Sequence, residues 1–187
     1  MNRKMRILLG GMFLCLGLPF AAPAQDAAPF RVVTVADGLE HPWSLAFLPD
    51  GRMLVTERPG RLRLISADGR LDPRPLAGVP KVAAVGQGGL LDVALHPQFA
   101  RNGWIYLSYA AQGEGGYGTE VLRARLDGHA LRDARVIFSM RPKTTTSHHF
   151  GSRLVFDRQG YLYITLGDRG EMVRAQRLDD HAGSVIR

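Results

Sequence analysis

Val155-Phe156-Asp157-Arg158-Gln159-Gly160-Tyr161-Leu162-Tyr163-Ile164-Thr165 reads as an apolar strand, a turn containing Gly, and a second apolar strand ending in Thr. The same plan stands twice upstream. Ala46-Phe47-Leu48-Pro49-Asp50-Gly51-Arg52-Met53-Leu54-Val55-Thr56 is one copy. Ala94-Leu95-His96-Pro97-Gln98-Phe99, followed by Gly103-Trp104-Ile105-Tyr106-Leu107-Ser108, is the other. The copies begin 48 and then 61 residues apart. Units of about 40–50 residues that carry four strands each are the sequence signature of propeller blades. The longer second interval is assigned to two polar loops, Gln112–Gly118 and Arg141–Ser147.

Working outward, strands and turns alternate almost without interruption. Phe30–Ala36 reads as a first strand. Ser44–Leu48 enters the Pro49-Asp50-Gly51 turn, and Arg52–Glu57 and Arg61–Ser66 flank Pro59-Gly60. RLRLI shows the period of two expected of a half-buried strand. Gly88–Leu95 reads as a strand buried on both faces, and Trp104–Ala110, Thr119–Leu126 and Leu131–Phe138 complete the set. No segment beyond residue 24 shows a helical period, so the expected class is all-β. A propeller closes with roughly 4–8 blades, and this chain supplies enough strands for about three. The expectation is the amino-terminal part of a larger propeller.

The first 24 residues read as a cleaved export signal rather than as part of the fold. Arg3, Lys4 and Arg6 precede an apolar run, Ile7–Leu18, which Pro19 breaks before Ala22-Pro23-Ala24. That run is shorter than the about 20 residues of a comfortable span. The mature chain, 25–187, then lacks cysteine, because Cys15 is the only one. Its stability must come from a core rather than from disulfides. The formal charge of +7 falls to about +4 without the export segment. Its basic residues are scattered singly, which argues against a nucleic-acid partner.

The chemistry concentrates in Ser147–Gly170, SHHFGSRLVFDRQGYLYITLGDRG. His148-His149 precedes a strand, and the second strand of the pair ends in Gly167-Asp168-Arg169-Gly170. Pairing of those strands brings a histidine and a carboxylate to one region, which is how an oriented general base is built. Other readings are weaker. Adjacent histidines on a strand point to opposite faces and chelate one metal poorly. Nothing marks Ser152 as a nucleophile. Gly86-Gln87-Gly88-Gly89 lacks the lysine and helix of a phosphate loop.

Three segments together resemble one family: GLEHPWSLAFLPDGRMLVTERPGRLRLI, GQGGLLDVALHPQF and HHFGSRLVFDRQGYLYITLGDRGE. They are similar to the soluble quinoprotein aldose sugar dehydrogenases, the glucose/sorbosone dehydrogenase family, over roughly the first half of a member. The resemblance implies a six-bladed β-propeller holding pyrroloquinoline quinone (PQQ) and calcium in the periplasm. It implies oxidation of the C1 hydroxyl of aldose sugars to lactones, with electrons passing to an external acceptor. By position in the motifs, His149 matches the general base and Asp168 the carboxylate that orients it. Gln87 matches a glutamine near the quinone and substrate, Gln176 resembles a cofactor-side glutamine, and His148 is placed to line the site. Arg153 matches either a structural arginine or a contact to a quinone carboxylate. The calcium ligands and several basic partners of PQQ are expected in later blades, and no metal ligand is assigned within this chain. A non-catalytic propeller module for binding or structure remains the alternative. A propeller lactonase would need acidic calcium ligands at the axis.

Overall fold

Among the described residues, 30–187, ten strands form three antiparallel sheets in chain order, and the computed structural model gathers Thr34–Arg187 into one compact unit. The expected export signal, residues 1–24, lies outside the described residues. The first sheet holds β1 (Pro42–Phe47), β2 (Met53–Glu57) and β3 (Arg61–Ile65). The second holds β4 (Leu90–Leu95), β5 (Trp104–Gly113), β6 (Gly116–Asp127) and β7 (Ala130–Ser139). The third holds β8 (Gly151–Phe156), β9 (Leu162–Leu166) and β10 (Val185–Ile186). Each sheet is one blade. None of the helices is long and apolar enough to cross a membrane among the described residues.

The internal repeat has a physical cause. In the first copy the Asp50 carboxylate accepts the Arg52 N–H at 3.1 Å, and in the third Asp157 accepts the Gln159 N–H at 3.0 Å. In the second, the His96 ring nitrogen takes the Gln98 N–H at 3.0 Å. A side-chain acceptor two residues before the donor mimics a backbone turn. It folds each pair of strands back at the same place. The second copy also inserts one helical turn, α1 (Phe99–Asn102), closed by Gly103.

Packing follows from stacked sheets with two covered faces. Leu54, Leu62, Leu90, Val93, Ile105 and Leu107 fill the space between the first and second blades. Tyr106, Val121, Leu154, Ile164 and Leu166 fill the space between the second and third. Burying one such aliphatic side chain contributes roughly 1.5–3 kcal/mol.

Three local expectations change. Phe30–Ala36 alternates correctly but forms no strand. Gln112–Gly118 is not a loop: β5 and β6 run to Gly113 and Gly116 and leave a tight turn. RLRLI is not half-exposed, because Arg63 is buried and its guanidinium meets Glu57, itself fully buried, at 3.2 Å. Arg61 reaches the same carboxylate at 2.6 Å; burial pushes the Glu57 carboxyl up, but the Glu40 N–H, then Arg61 and Arg63, together hold it below its usual range.

One residue links all three blades. Asp92, in the middle of β4, is almost fully buried. It accepts Ser44 Oγ from β1 at 2.5 Å. It also accepts the Leu154 N–H at 2.7 Å and Arg153 Nη1 at 2.9 Å from β8. Thr56 Oγ1 donates to the Leu91 carbonyl at 2.5 Å, and Ser108 Oγ donates to the Ser152 carbonyl at 2.7 Å. The first strands of the blades are thus fastened by polar bonds inside an apolar stack. Asp92→Ala leaves the Leu154 N–H and the Arg153 charge without their acceptor. It is expected to lower stability by about 2–3 kcal/mol, the scale of hydrogen bonds to a charged group. Urea unfolding followed by tryptophan fluorescence measures this, and a loss near zero would contradict the linking role.

Candidate active site

The β8–β9 hairpin does what its sequence foretells. Gly151 on β8 sits opposite Leu166 on β9, so the residues just before β8 and just after β9 lie side by side. Gly167 has a reason to be glycine. A Cβ there would stand 1.9 Å from the His149 carbonyl oxygen, so only a bare backbone fits. That approach brings His149 Nδ1 to 2.7 Å from Asp168 Oδ1. The Gly170 N–H reaches the same oxygen at 2.8 Å.

His149 takes a left-handed backbone conformation, φ 54°, which costs a non-glycine residue about 1–3 kcal/mol unless its surroundings fix it. Its N–H is held at 2.9 Å by Gln87 Oε1. Beneath the loop lies Arg169, fully buried, whose guanidinium donates to the carbonyls of Thr146 and His148 and rests 3.7 Å over the Phe150 ring. Burial, with a smaller contribution from Arg174, pushes the Arg169 pKa down to about 10. It remains cationic at neutral pH.

Electrostatics set the roles of the pair. The hydrogen bond from His149, and then that from the Gly170 N–H, hold the Asp168 carboxyl below the ordinary carboxylate value. The carboxylate is therefore ionised at neutral pH and accepts from Nδ1–H. This tautomer leaves Nε2 with its lone pair free to take a proton.

Gln87 and His149 share a cleft of about 320 Å³ with Trp43, Arg58, Leu91 and Phe150. His148 is not on a strand, as adjacent strand histidines would be. Its ring meets the His149 ring edge to face with centroids 4.6 Å apart. Its Nε2 packs against Gly170, where a Cβ would come within 2.4 Å. Gln176 is not brought to this cleft. It stands exposed at the end of a short 3-10 turn, Met172–Gln176, whose buried residue is Arg174, paired with Asp180 at 2.7 Å. Arg153 is the link to Asp92 already described and lies 5.0 Å over the Trp43 ring, with its side chain half exposed. Among the described residues, no group of three or more His, Cys, Asp and Glu side chains is arranged to hold a metal ion.

Arg58, Trp43 and Asp92 are the residues that sequence reading passes over. Trp43 follows His41-Pro42 at the start of β1, and Arg58 directly follows the end of β2. Trp43 and Arg58 therefore sit at strand ends, where site residues of sheet folds gather, whereas Asp92 lies inside β4. Position at a strand end was the available signal.

The profile of the glucose/sorbosone dehydrogenase family matches residues 39–187. The chain belongs to the glucose/sorbosone dehydrogenase family. It is 48% identical over 172 residues to the aldose sugar dehydrogenase YliI of Escherichia coli, covering 90% of this chain and 45% of that protein. A crystal structure of a glucose dehydrogenase superposes with a TM-score of 0.80 at 51% identity, covering 83% of this chain and 46% of the other. The PQQ-bound form of an aldose sugar dehydrogenase from Streptomyces coelicolor superposes at 0.73 with 31% identity, over 83% and 46%. The chain thus spans about half the length of the relatives it matches. Its three sheets are three blades of this family's six-bladed propeller.

Two outcomes are expected. In wild type the Asp168 carboxyl carbon should titrate by NMR below the ordinary carboxylate range, and His149→Ala should return it toward that range. The contribution of the pair to stability is then present above the unfolded carboxylate value and is lost as pH falls through the lowered folded one. Separately, Gly167→Ala should displace His149 and abolish the Nδ1–Asp168 contact. A crystal structure of the variant with an unmoved His149 loop would contradict that account.

Proposed function

We propose that this chain is the amino-terminal half of a PQQ-dependent oxidoreductase that converts the C1 hydroxyl of aldose sugars to lactones. The observation that carries the proposal is the His149–Asp168 pair at the wall of the Gln87 cleft, on the scaffold of a dehydrogenase family. His149 Nε2 accepts the C1 hydroxyl proton. Asp168 fixes the tautomer and stabilises the imidazolium that forms. PQQ, when bound, supplies the acceptor for the hydride leaving C1, and an external acceptor then removes the electrons.

The residues lining the cleft fit one side of such a cofactor. Trp43 offers a flat aromatic wall, and Gln87 offers an amide. Arg58 carries a positive charge with no carboxylate partner within 4.0 Å among the described residues. PQQ bears several carboxylates, and a buried carboxylate without a cation or donor is costly. Arg58 is suited to meet one of those carboxylates, and His148, beside His149, is a further candidate contact, whereas Gln176 lies away from the cleft. Calcium and a periplasmic location belong to the same proposal, supported by the family and by the export signal read in residues 1–24.

The test joins this chain to the second half of its E. coli relative and follows dye reduction by aldoses with PQQ and calcium. His149→Ala is expected to lower the rate by about 10²–10⁴, the contribution of a positioned general base. Activity that survives this substitution unchanged would remove His149 from the mechanism. A well-folded, PQQ-loaded chimera without activity would favour the binding module.

A further inference from the structure

Arg58 belongs to blade one, Gln87 to the loop that enters blade two, and His149 to the loop that enters blade three. Arg58 donates from Nη2 to the Gly86 carbonyl at 2.5 Å and from Nε to the Gly88 carbonyl at 3.2 Å. Its fork therefore grips the backbone on both sides of Gln87. The same residue's carbonyl accepts the Leu90 N–H at 3.0 Å. A Cβ at Gly89 would stand 2.1 Å from that carbonyl, so the loop lies flat on Arg58. Gln87 is then held from the other side by its own N–H, which donates to the Ser147 carbonyl at 2.8 Å. Its Oε1 in turn accepts the His149 N–H at 2.9 Å.

We propose that Arg58 is a positioning residue for the His149–Asp168 pair, acting through Gln87 across all three blades. A guanidinium is suited to this because it presents several donors in a rigid plane, so two carbonyls can be held at a fixed separation. An ammonium presents its donors from a single nitrogen on a flexible stem and cannot reproduce that spacing. With the fork removed, the Gly86–Gly88 backbone loses its anchor to blade one. The Gln87 carboxamide then no longer holds the left-handed backbone of His149. The direct catalytic contact stays with His149, while Arg58 sets where that ring stands.

The relay's importance for turnover rests on the proposed oxidoreductase function, but its geometry is read independently by amide hydrogen exchange on the full chain. Arg58→Gln is expected to speed exchange at the Gln87 and His149 amides on the order of tenfold, the scale of one lost hydrogen bond. The Leu154 amide, anchored on Asp92, serves as the internal reference and should not change. Arg58→Lys should restore little of the protection. Combining Arg58→Gln with Gln87→Leu should accelerate His149 no further than Gln87→Leu alone, because both break one chain of contacts. Unchanged exchange at His149 in Arg58→Gln overturns the proposal. So does a parallel rise at Leu154, which would make Arg58 a general support of the fold. In the active chimera the same substitution should lower kcat more than it raises KM. If the chimera proves inactive while the exchange pattern holds, the oxidoreductase reading fails and the relay stands.

Discussion

The fold depends on a buried carboxylate. Asp92 sits in a strand that is otherwise apolar and must meet donors to be tolerated there, since an unpaired buried charge is prohibitive. Its donors come from the blade before and the blade after. The apolar contacts between blades supply most of the stabilisation but are forgiving of a sliding motion, because hydrophobic burial has no direction. Hydrogen bonds to Asp92 have direction. They fix the offset of each blade's first strand against the next, and every loop at that end inherits the registration.

The site shows why that registration matters. His149, Asp168 and the Gln87 amide that holds the His149 backbone come from two different blades, and a third blade contributes Arg58. None of these groups sits on a strand. They sit on loops whose positions follow from strand ends, with backbones in left-handed conformations at His149 and Arg169 that isolated loops would abandon. The scaffold covers that cost by over-determining the loops. Arg169 braces the histidine loop from below, Gly167 lets the backbones touch, and Gln87 closes it from the side.

Much of this was legible in the residues. The three strand-turn-strand copies could be seen because each turn carries an acceptor two residues before its donor, a local device that leaves a local trace. The meeting of His149 and Asp168 followed from pairing β8 with β9. What could not be read was set by distant partners. Asp92 passed unremarked inside Gly88–Leu95, a run read as buried on both faces, because its meaning depends on Ser44 and Leu154. Arg63 looked exposed by its alternation, because the burial of Glu57 was invisible. Phe30–Ala36 has a strand's pattern but pairs with no strand among the described residues. Gln176 was implied only by the family resemblance, and the turn that carries it points Arg174 inward instead.

The spread of the site along the chain has a consequence for its history in each molecule. Arg58 emerges from the ribosome long before His149, and Asp168 comes last. The loops cannot take their shapes until the blades that carry them have stacked, since long-range contacts reward closure only after its entropy has been spent. The left-handed turn at His149 is held by Gln87, a residue made some sixty positions earlier in the chain. A molecule that stacks its blades out of step acquires a core without the His149–Asp168 contact. That contact is a certificate of correct assembly, issued only when distant parts of one chain agree.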